Sequence, residues 1–249
     1  MKSKKNLYIV AGSSGLIGSN ICDIFLETKE NYIGLDSKIG RHSTIIDLSD
    51  QKEFMDTVSN AIDKGITDIS LIYSAGKNGS VENGGLDRYG EYSEKDLNEY
   101  LYQNTIVPYS CSMSLISLAS ERNLNLRIMI LCSHYSFVAG TDSLYSPNNL
   151  GEKQIKPHGY IISKHAAIGV VKSIASTYGS EQILINGFAP GGILNNQDES
   201  FVKKFEAYSS LKRLANPSEI AKWVVTLANP ELTYANGSIF SVDGGVLIR

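Results

Sequence analysis

The sequence has few cysteines and no long apolar run, and each shortage excludes a class of protein. Cys22, Cys111 and Cys132 are odd in number and lack C-x-x-C spacing, so neither a disulfide framework nor a zinc site is indicated. We expect all three to be small buried side chains. No apolar run approaches the ~20 residues that span a bilayer, and residues 7–11 are too few for a signal-peptide core. The sequence therefore predicts a cytoplasmic protein that does not insert into a membrane.

An excess of charge of either sign is also missing. The formal net charge is -3 and the isoelectric point is near 5.8, which gives no electrostatic attraction for nucleic acid or an anionic membrane. The four histidines have no metal-ligand spacing with neighbouring acids, so no metal is expected. What remains is a chain of 249 residues, 42% hydrophobic and 20% charged, which predicts a soluble domain with a substantial core.

Short apolar runs alternate with longer segments of helical periodicity from one end of the chain to the other. This alternation predicts an α/β fold, a doubly wound parallel sheet of seven strands in three layers, α/β/α. Strands are predicted at residues 7–11, 32–35, 44–46, 69–73, 126–131, 183–188 and 239–242, and helices at residues 16–28, 51–64, 94–122, 160–178, 199–209 and 217–228. Ser93 is the predicted N-cap of the third helix, and Pro217 the first residue of the last.

Gly12, Gly15 and Gly18 form a G-x-x-G-x-x-G turn between the first strand and the first helix. Glycines there permit a sharp bend and a close approach of the backbone to a pyrophosphate, which the helix N-terminus then faces. A purely structural loop is the alternative, but the strand-turn-helix context favours a dinucleotide site. The other residues of this turn that we expect to contact the cofactor are Ser14, Leu16 and Ile17.

Acidic residues follow the second and third predicted strands. Asp36 lies ~20 residues after the glycines, where a carboxylate accepts hydrogen bonds from the adenosine ribose and repels a 2′-phosphate. This position favours NAD over NADP, although the basic Lys38 and Arg41 lie close by in the sequence. Asp47 and Leu48 are expected to meet the adenine; the alternative for Asp47 is to cap the second helix.

Tyr160 and Lys164 are one helical turn apart and so share a helix face. A free tyrosine titrates near pH ~10, and a fixed cation nearby favours the phenolate and brings it toward working range. Such a pair suits proton exchange with an alcohol. By itself the spacing is more often ordinary packing beside a solvated charge, so its meaning depends on the other motifs.

These motifs together resemble the short-chain dehydrogenase/reductase family, over nearly the whole chain. Besides the glycines, Tyr160 and Lys164, the matching residues are Ser74-Ala75-Gly76 after the fourth strand, Asn104 in the long helix, Ser133 after the fifth strand, Pro190-Gly191-Gly192-Ile193 after the sixth, and Val242-Asp243-Gly244-Gly245 near the C-terminus. The resemblance implies a single NAD(P)-binding Rossmann domain over residues 1–249 and a homo-oligomer, dimer or tetramer, with the long helices as candidates for its interface. More weakly, the chain resembles oxidoreductases of this family from bacterial surface-sugar and nonulosonate pathways, of the flagellin-glycan type.

The resemblance also implies roles for individual residues. Tyr160 exchanges the substrate proton, Lys164 lowers the tyrosine pKa and holds the nicotinamide ribose, and Ser133 hydrogen-bonds the reacting oxygen. Asn104 positions water in a proton relay. Ser136 competes for the serine role because an apolar pair and a glycine follow it, while strand register favours Ser133. The remaining cofactor contacts that the family implies are Ser74, Ala75, Gly76, Pro190, Gly191, Ile193 and Asn195.

Three departures from the family pattern matter. The glycine spacing is that of the extended epimerase and dehydratase branch, whereas the C-terminal signature is that of compact reductases. Tyr73-Ser74 replaces the customary asparagines, which puts in doubt the usual support of the central strands. Asn195 stands where a threonine often touches the nicotinamide amide, and an asparagine retains hydrogen-bonding capacity.

An enlarged loop at residues 134–159 is the least generic part of the chain, and a small lid is expected at residues 193–212. Many donors and acceptors stand in the loop, which suits a hydroxylated, sugar-like substrate; a solvated surface loop is the alternative. The polar residues of the loop are Tyr145, Asn148, Asn149, Glu152, Lys153, Gln154 and His158.

The leading hypothesis is an NAD(P)-dependent oxidoreductase that interconverts a secondary alcohol and a ketone. The rivals are a nucleotide-sugar epimerase or dehydratase of the extended branch, which the glycine spacing favours, and a 3-oxoacyl reductase-like enzyme. A non-catalytic dinucleotide sensor is a further rival of another class. Such a sensor would not need Asn104, Ser133, Tyr160 and Lys164 together in one place.

Overall fold

The computed structural model describes residues 5–63, 65–79, 85–91, 93–140, 144–147 and 150–248. The strands are β1 (Lys5–Ala11), β2 (Tyr32–Asp36), β3 (Ser43–Ile45), β4 (Ile66–Tyr73), β5 (Asp87–Arg88), β6 (Asn125–Leu131), β7 (Gln154–Ile155), β8 (Ile183–Pro190) and β9 (Ile239–Val242). The helices are α1 (Leu16–Thr28), α2 (Gln51–Ala61), α3 (Glu94–Leu101), α4 (Val107–Arg122), α5 (His158–Tyr178), α6 (Glu199–Tyr208) and α7 (Pro217–Leu227).

Seven strands form one parallel sheet in the order β3-β2-β1-β4-β6-β8-β9. The strand order reverses between β1 and β4, which creates a crevice outside the carboxyl ends of these strands. The predicted doubly wound α/β fold is therefore confirmed. A short antiparallel pair, β5 with β7, was not predicted and lies outside this sheet.

Two apolar layers cover the sheet, because its central strands are apolar on both faces. On one face, Phe54 of α2, Leu115 of α4 and Val171 of α5 are fully buried against the strands. On the other face, Phe25 of α1 and Val224 of α7 do the same. The three cysteines are free and buried, as predicted. None of the helices in the described part of the chain has the length and apolarity needed to cross a bilayer.

The prediction of one continuous helix over residues 94–122 is wrong. Helix α3 ends at Leu101, and a π-helical turn at Tyr102–Ile106 joins it to α4. Pro108 explains the change, since it has no N–H to give to the carbonyl of Asn104 and its ring would clash with that carbonyl in a regular α-helix. In the wider turn the Val107 N–H bonds instead to the Tyr102 carbonyl.

Other helix boundaries agree with the sequence to within a few residues. Helix α2 ends at Ala61, before the predicted end, and residue 64 lies outside the described residues. The Ser93 hydroxyl accepts a hydrogen bond from the Asp96 N–H, which confirms the predicted N-cap of α3. Pro217 begins α7, where Asn216 and Glu219 form a reciprocal capping box.

Candidate active site

The glycine turn brings the backbone of β1 and α1 against the end of β4. Gly12 has φ +89°, and a Cβ atom there would overlap the backbone nitrogen of Ala75. A Cβ on Gly18 would overlap the Gly12 carbonyl. Gly15 is the N-cap of α1, no side chain among the described residues caps this end, and Gly15, Leu16 and Ile17 line the cavity described below. These residues fit the pyrophosphate of a dinucleotide.

Ser74 fastens β4 to this turn in place of the asparagine of the family. Its hydroxyl donates to the Ala11 carbonyl at 2.8 Å, and its backbone N–H bonds to the same oxygen at 2.8 Å. The Ala75 N–H adds a third bond to that carbonyl at 3.0 Å. The departure from the family pattern therefore leaves these central strands tied together.

The Asp36 carboxylate lies beside the glycine turn at the end of β2. It accepts hydrogen bonds from the backbone N–H of Ser14 and of Lys38, both at 2.9 Å. Asp47 instead stabilises its own turn, accepting from the N–H and hydroxyl of Ser49, and these bonds lower its pKa. The alternative that Asp47 caps α2 is wrong, because Asp50 holds that position.

Asn104 lies buried in the π-helical turn, which directs it toward α5 and the loop after β4. Its amide nitrogen donates to the Lys77 carbonyl at 3.0 Å and to the Ser163 hydroxyl at 2.9 Å. Its amide oxygen accepts from the Lys77 N–H at 2.8 Å. The Ser163 hydroxyl in turn donates to the Tyr160 carbonyl. Asn104 thus fixes the loop that borders the cavity and the first turn of α5.

Ser133, two residues after β6, lines the cavity together with Tyr160 and acts to lower the pKa of its phenol. The Ser133 hydroxyl accepts from the Tyr135 N–H at 3.2 Å. Ser136 plays a supporting part, since its hydroxyl accepts from the Ser133 N–H. The geometry favours Ser133 over Ser136.

Burial raises the pKa of Tyr160 to about 12, and the polar Ser133 hydroxyl opposes this rise. The direction is opposite to the expectation that Lys164 keeps the phenol acidic. The Lys164 ammonium donates to the Leu131 carbonyl at 2.9 Å and lies 5.9 Å from the centre of the Tyr160 ring. Burial also lowers the pKa of Lys164. Desolvation of the phenolate therefore outweighs the attraction of this cation.

One cavity of about 1080 Å³ connects the glycine turn with Tyr160. Many of the predicted site residues line it: Gly15, Leu16, Ile17, Ser74, Ala75, Gly76, Ser133, Tyr160, Lys164, Pro190, Gly191, Ile193 and Asn195. Others do not: Gly12, Ser14, Gly18, Asp36, Asp47, Leu48 and Asn104. Of the latter, Asp47 and Leu48 lie in the turn before α2, where Leu48 is buried in the core.

The enlarged loop contributes only some of its predicted residues to this cavity. Tyr145 and Gln154 line it, and the Tyr145 hydroxyl bonds to the Tyr135 hydroxyl at 2.6 Å. Glu152 and Lys153 border a separate, smaller cavity beside β5, and His158 is exposed at the start of α5. Asn148 and Asn149 lie outside the described residues.

Residues before and within α6 cover the cavity from the other side. Asn195 and Gln197 line it, and the Gln197 side chain accepts from the Asn195 N–H at 2.7 Å. Phe201 of α6 stacks on Tyr145, with ring centres 5.8 Å apart. Lys204 donates to the Ser146 hydroxyl at 3.0 Å. This segment therefore contacts the enlarged loop across the cavity mouth.

Two cavity residues were missed as site residues by sequence reasoning. The Lys156 ammonium lies 4.3 Å from the centre of the Tyr160 ring, closer than that of Lys164. His134 is buried directly after Ser133, and its Nδ1 lies 3.3 Å from the Pro190 carbonyl. Neither residue belongs to a spacing motif; adjacency to Ser133 was the one available signal for His134, and none pointed to Lys156.

Parts of the chain are similar in sequence to known proteins. Residues 148–247 match the family model described as enoyl-(acyl carrier protein) reductase. The 7alpha-hydroxysteroid dehydrogenase of Escherichia coli (strain K12) is 33% identical over 98 residues, which cover 37% of this chain and 38% of that protein. The chain thus matches well under half the length of this curated relative.

Solved structures match over almost the whole chain. A short-chain dehydrogenase from Leptospira borgpetersenii serovar Hardjo-bovis with bound NAD+ has a TM-score of 0.81 at 23% identity, covering 98% of this chain and 93% of that one. ElxO with NADP bound has a TM-score of 0.75 at 19% identity, covering 99% and 100%. At these identities the likeness shows the fold. The fold is therefore that of short-chain dehydrogenases, and the matched C-terminal segment is similar to enzymes of this type.

Proposed function

We propose that this protein is a nicotinamide-dependent oxidoreductase that interconverts a secondary alcohol and a ketone. The observation that carries the proposal is that Ser133, Tyr160 and Lys164 line the same cavity as the glycine turn, with the Lys164 ammonium 5.9 Å from the centre of the Tyr160 ring. A nicotinamide cofactor bound there supplies the acceptor or donor of hydride. The residues of the chain then have to orient the substrate and move one proton.

Tyr160 is the proposed proton donor and acceptor. Because burial raises its pKa to about 12, the phenol is protonated at neutral pH and ready to protonate a carbonyl oxygen during reduction. Ser133 holds the same oxygen, and Lys164 places a positive charge near the developing phenolate. Oxidation requires the phenolate, so we expect the rate of oxidation to rise with pH across the range in which Tyr160 loses its proton.

NAD is the proposed cofactor. The Asp36 carboxylate beside the Ser14 N–H places a negative charge where a 2′-phosphate would lie, and the resulting repulsion disfavours NADP. The family fold accommodates either cofactor, since the two solved neighbours carry NAD+ in one case and NADP in the other.

The proposed substrate is small, polar and sugar-like. Side-chain amides and hydroxyls are plentiful where the enlarged loop and the α6 segment meet, and this segment is the proposed lid. The polar side chains that line this part of the cavity are Asn78, Ser146, Gln154, Asn195, Asn196, Gln197 and Ser200. An epimerase or dehydratase fits less well, because His134 and Tyr135 follow Ser133 where dehydratases carry acids.

We also propose that copies of the chain associate through the π-helical turn, α4 and α5. Five large apolar side chains are exposed there: Tyr102, Ile106, Tyr109, Ile162 and Tyr178. Size-exclusion chromatography with light scattering tests this, and a monomer at micromolar concentration would contradict it.

Replacement of Tyr160 by phenylalanine tests the proposed function. We expect turnover of the best substrate in a panel of hydroxy and keto compounds to fall by at least about 100-fold, the usual contribution of a proton-transfer group. Reduced cofactor should still bind, as measured by its fluorescence. Tyr178→Phe is the matched control, because it removes a hydroxyl at the far end of the same helix. Full turnover by Tyr160→Phe would contradict the proposal.

A further inference from the structure

Lys156 places a second ammonium group in the cavity, and the proposed proton transfer does not use it. Its Nζ lies 4.3 Å from the centre of the Tyr160 ring and donates to the Asn78 side-chain oxygen at 2.7 Å. Both Lys156 and Asn78 line the cavity. Pro157 and the two residues of β7 fix the backbone on either side, so the ammonium is held next to the reacting centre.

The other charged groups that line the cavity already have partners. Lys77 forms ion pairs with Glu99 and Asp96, and Asp198 accepts the Phe201 N–H as the N-cap of α6. Lys164 donates to the Leu131 carbonyl and is assigned to the proton transfer at Tyr160. Lys156 differs from these groups because the proposed proton transfer leaves it unused. Within the described residues its one hydrogen-bond partner is a neutral amide, and no carboxylate forms an ion pair with it.

A half-buried cation with neutral neighbours favours an anion in the adjoining space. Burial lowers the pKa of Lys156 to about 8, and Lys164 on α5 adds to the decrease. Asp87 of β5 opposes it, and its own pKa is raised by burial. Tyr160 faces the same ammonium with its uncharged ring. No anion among these groups compensates Lys156 by direct contact.

We propose that the substrate is a hydroxy acid, or the matching oxo acid, whose carboxylate binds the Lys156 ammonium while its reacting oxygen faces Ser133 and Tyr160. The proposal rests on the proposed function and specifies its substrate class. The carboxylate takes no part in the bond changes, so it serves affinity and orientation. One ammonium that the proton transfer does not use matches one negative charge, whereas a phosphate dianion calls for several donors or an arginine fork. A hydroxylated acid also fits the amide-rich cavity.

A comparison of acids with their methyl esters tests the proposal. The panel contains oxo acids of graded length from pyruvate to 5-oxohexanoate, each beside its methyl ester, with NADH as reductant. We expect the wild-type protein to prefer at least one acid over its ester in kcat/KM. Lys156→Met should lower kcat/KM for that acid by about 10- to 100-fold, as expected for one charge-assisted hydrogen bond, and leave the ester unchanged. Calorimetric binding of the acid to the NADH-loaded protein should weaken by a similar factor.

The matched control is Lys153→Met, which removes a charge from the same loop outside the large cavity, where the lysine lies over the Tyr89 ring. It should retain the preference for the acid. Equal losses on acid and ester in Lys156→Met would overturn the proposal and assign the lysine to the proton-transfer step. Another outcome is that the protein prefers no oxo acid over its ester, and prefers dihydroxyacetone phosphate over dihydroxyacetone in a way that depends on Lys156. That result would overturn the proposal that Lys156 binds a carboxylate.

The outcomes separate this proposal from the proposed function. If the esters turn over with a Tyr160-dependent rate and no acid binds more tightly than its ester, the carboxylate proposal fails and the oxidoreductase remains. If an acid binds in a Lys156-dependent way and Tyr160→Phe keeps full turnover, the assignment of the proton donor fails and the anion site remains.

Discussion

Mild acid should destabilise this protein through His134. Burial lowers the pKa of His134 to about 4, against an ordinary value of 6.5, and the Pro190 carbonyl beside Nδ1 opposes the decrease only in part. Because the pKa is lower in the folded state, the unfolded chain binds more protons between these two values. Stability is therefore complete above about pH 6.5 and is lost as the pH falls toward 4.

The size of the effect follows from the two pKa values. Between pH 7 and pH 5 the linkage amounts to a loss of about 2 kcal/mol in the free energy of unfolding. The Pro190 carbonyl and Asp243 relieve it only in part, and Nε2 of His134 has no hydrogen-bond partner among the described residues. A proton added there would be buried without an acceptor.

Equilibrium urea unfolding at pH 5, 6, 7 and 8 measures this loss at constant ionic strength. His134→Gln removes the titration, so its stability should vary with pH by about 2 kcal/mol less than that of the wild type between pH 7 and pH 5. His165→Gln is the control, because this exposed histidine of α5 lies on the protein surface and its loss should leave the wild-type slope. A wild-type slope in His134→Gln would refute the reasoning.

Three further changes test the cofactor turn and the π-helical turn. Gly12→Ala should lower stability and NADH affinity, because the added Cβ would overlap the backbone after β4. The control Gly169→Ala has open space on α5 and should raise stability by about 1 kcal/mol. Equal effects of the two changes in thermal unfolding would contradict this. Asp36→Asn should raise the ratio of NADPH to NADH efficiency by about 10-fold or more, since a repelling charge is removed; an unchanged ratio in steady-state kinetics would count against the ribose site. Pro108→Ala supplies the missing N–H for a regular helix, so we expect kcat to fall as Asn104 shifts, without loss of stability; unchanged kcat would refute this.

The sheet could be predicted from sequence because its signals are local. A strand buried on both faces is mostly apolar, as β4 and β8 show, although these strands also bury Asp68, Ser70 and Asn186. The glycine turn could also be predicted from sequence. Gly12 needs a positive φ and Gly18 needs the absence of a Cβ, so both requirements appear directly as residue types at fixed positions.

The π-helical turn was missed because helical periodicity continues across it. Residues on either side are apolar at helical spacing, and a proline after the first turn of a helix is ordinary. What distinguishes Pro108 is that α3 already extends upstream of it, which makes it an interior proline. The consequence falls on Asn104, four residues earlier, whose side chain then reaches Lys77 and Ser163.

Lys156, whose ammonium lies over the Tyr160 ring, was missed for a different reason. Tyr160 and Lys164 lie on one helix, so their spacing of four residues is enough to predict that they share a face. Lys156 reaches the same ring from outside the helix, and its other neighbour, Asn78, comes from the loop after β4. No spacing rule connects residues that meet only when two distant loops fold together.

This division has a consequence for function. The groups proposed to act on the reacting bond are Ser133, Tyr160 and Lys164. One helix and the end of a strand fix their relative positions, so sequence motifs are sufficient to propose alcohol–ketone chemistry. In the proposed function, the choice of molecule is assigned to Lys156, Gln154 and the α6 segment, which line the cavity from separate elements. Those contacts carry charge and hydrogen-bonding capacity that only the folded chain brings together. The charge balance of the cavity is therefore the feature from which the substrate class has to be inferred, and here it favours an acid.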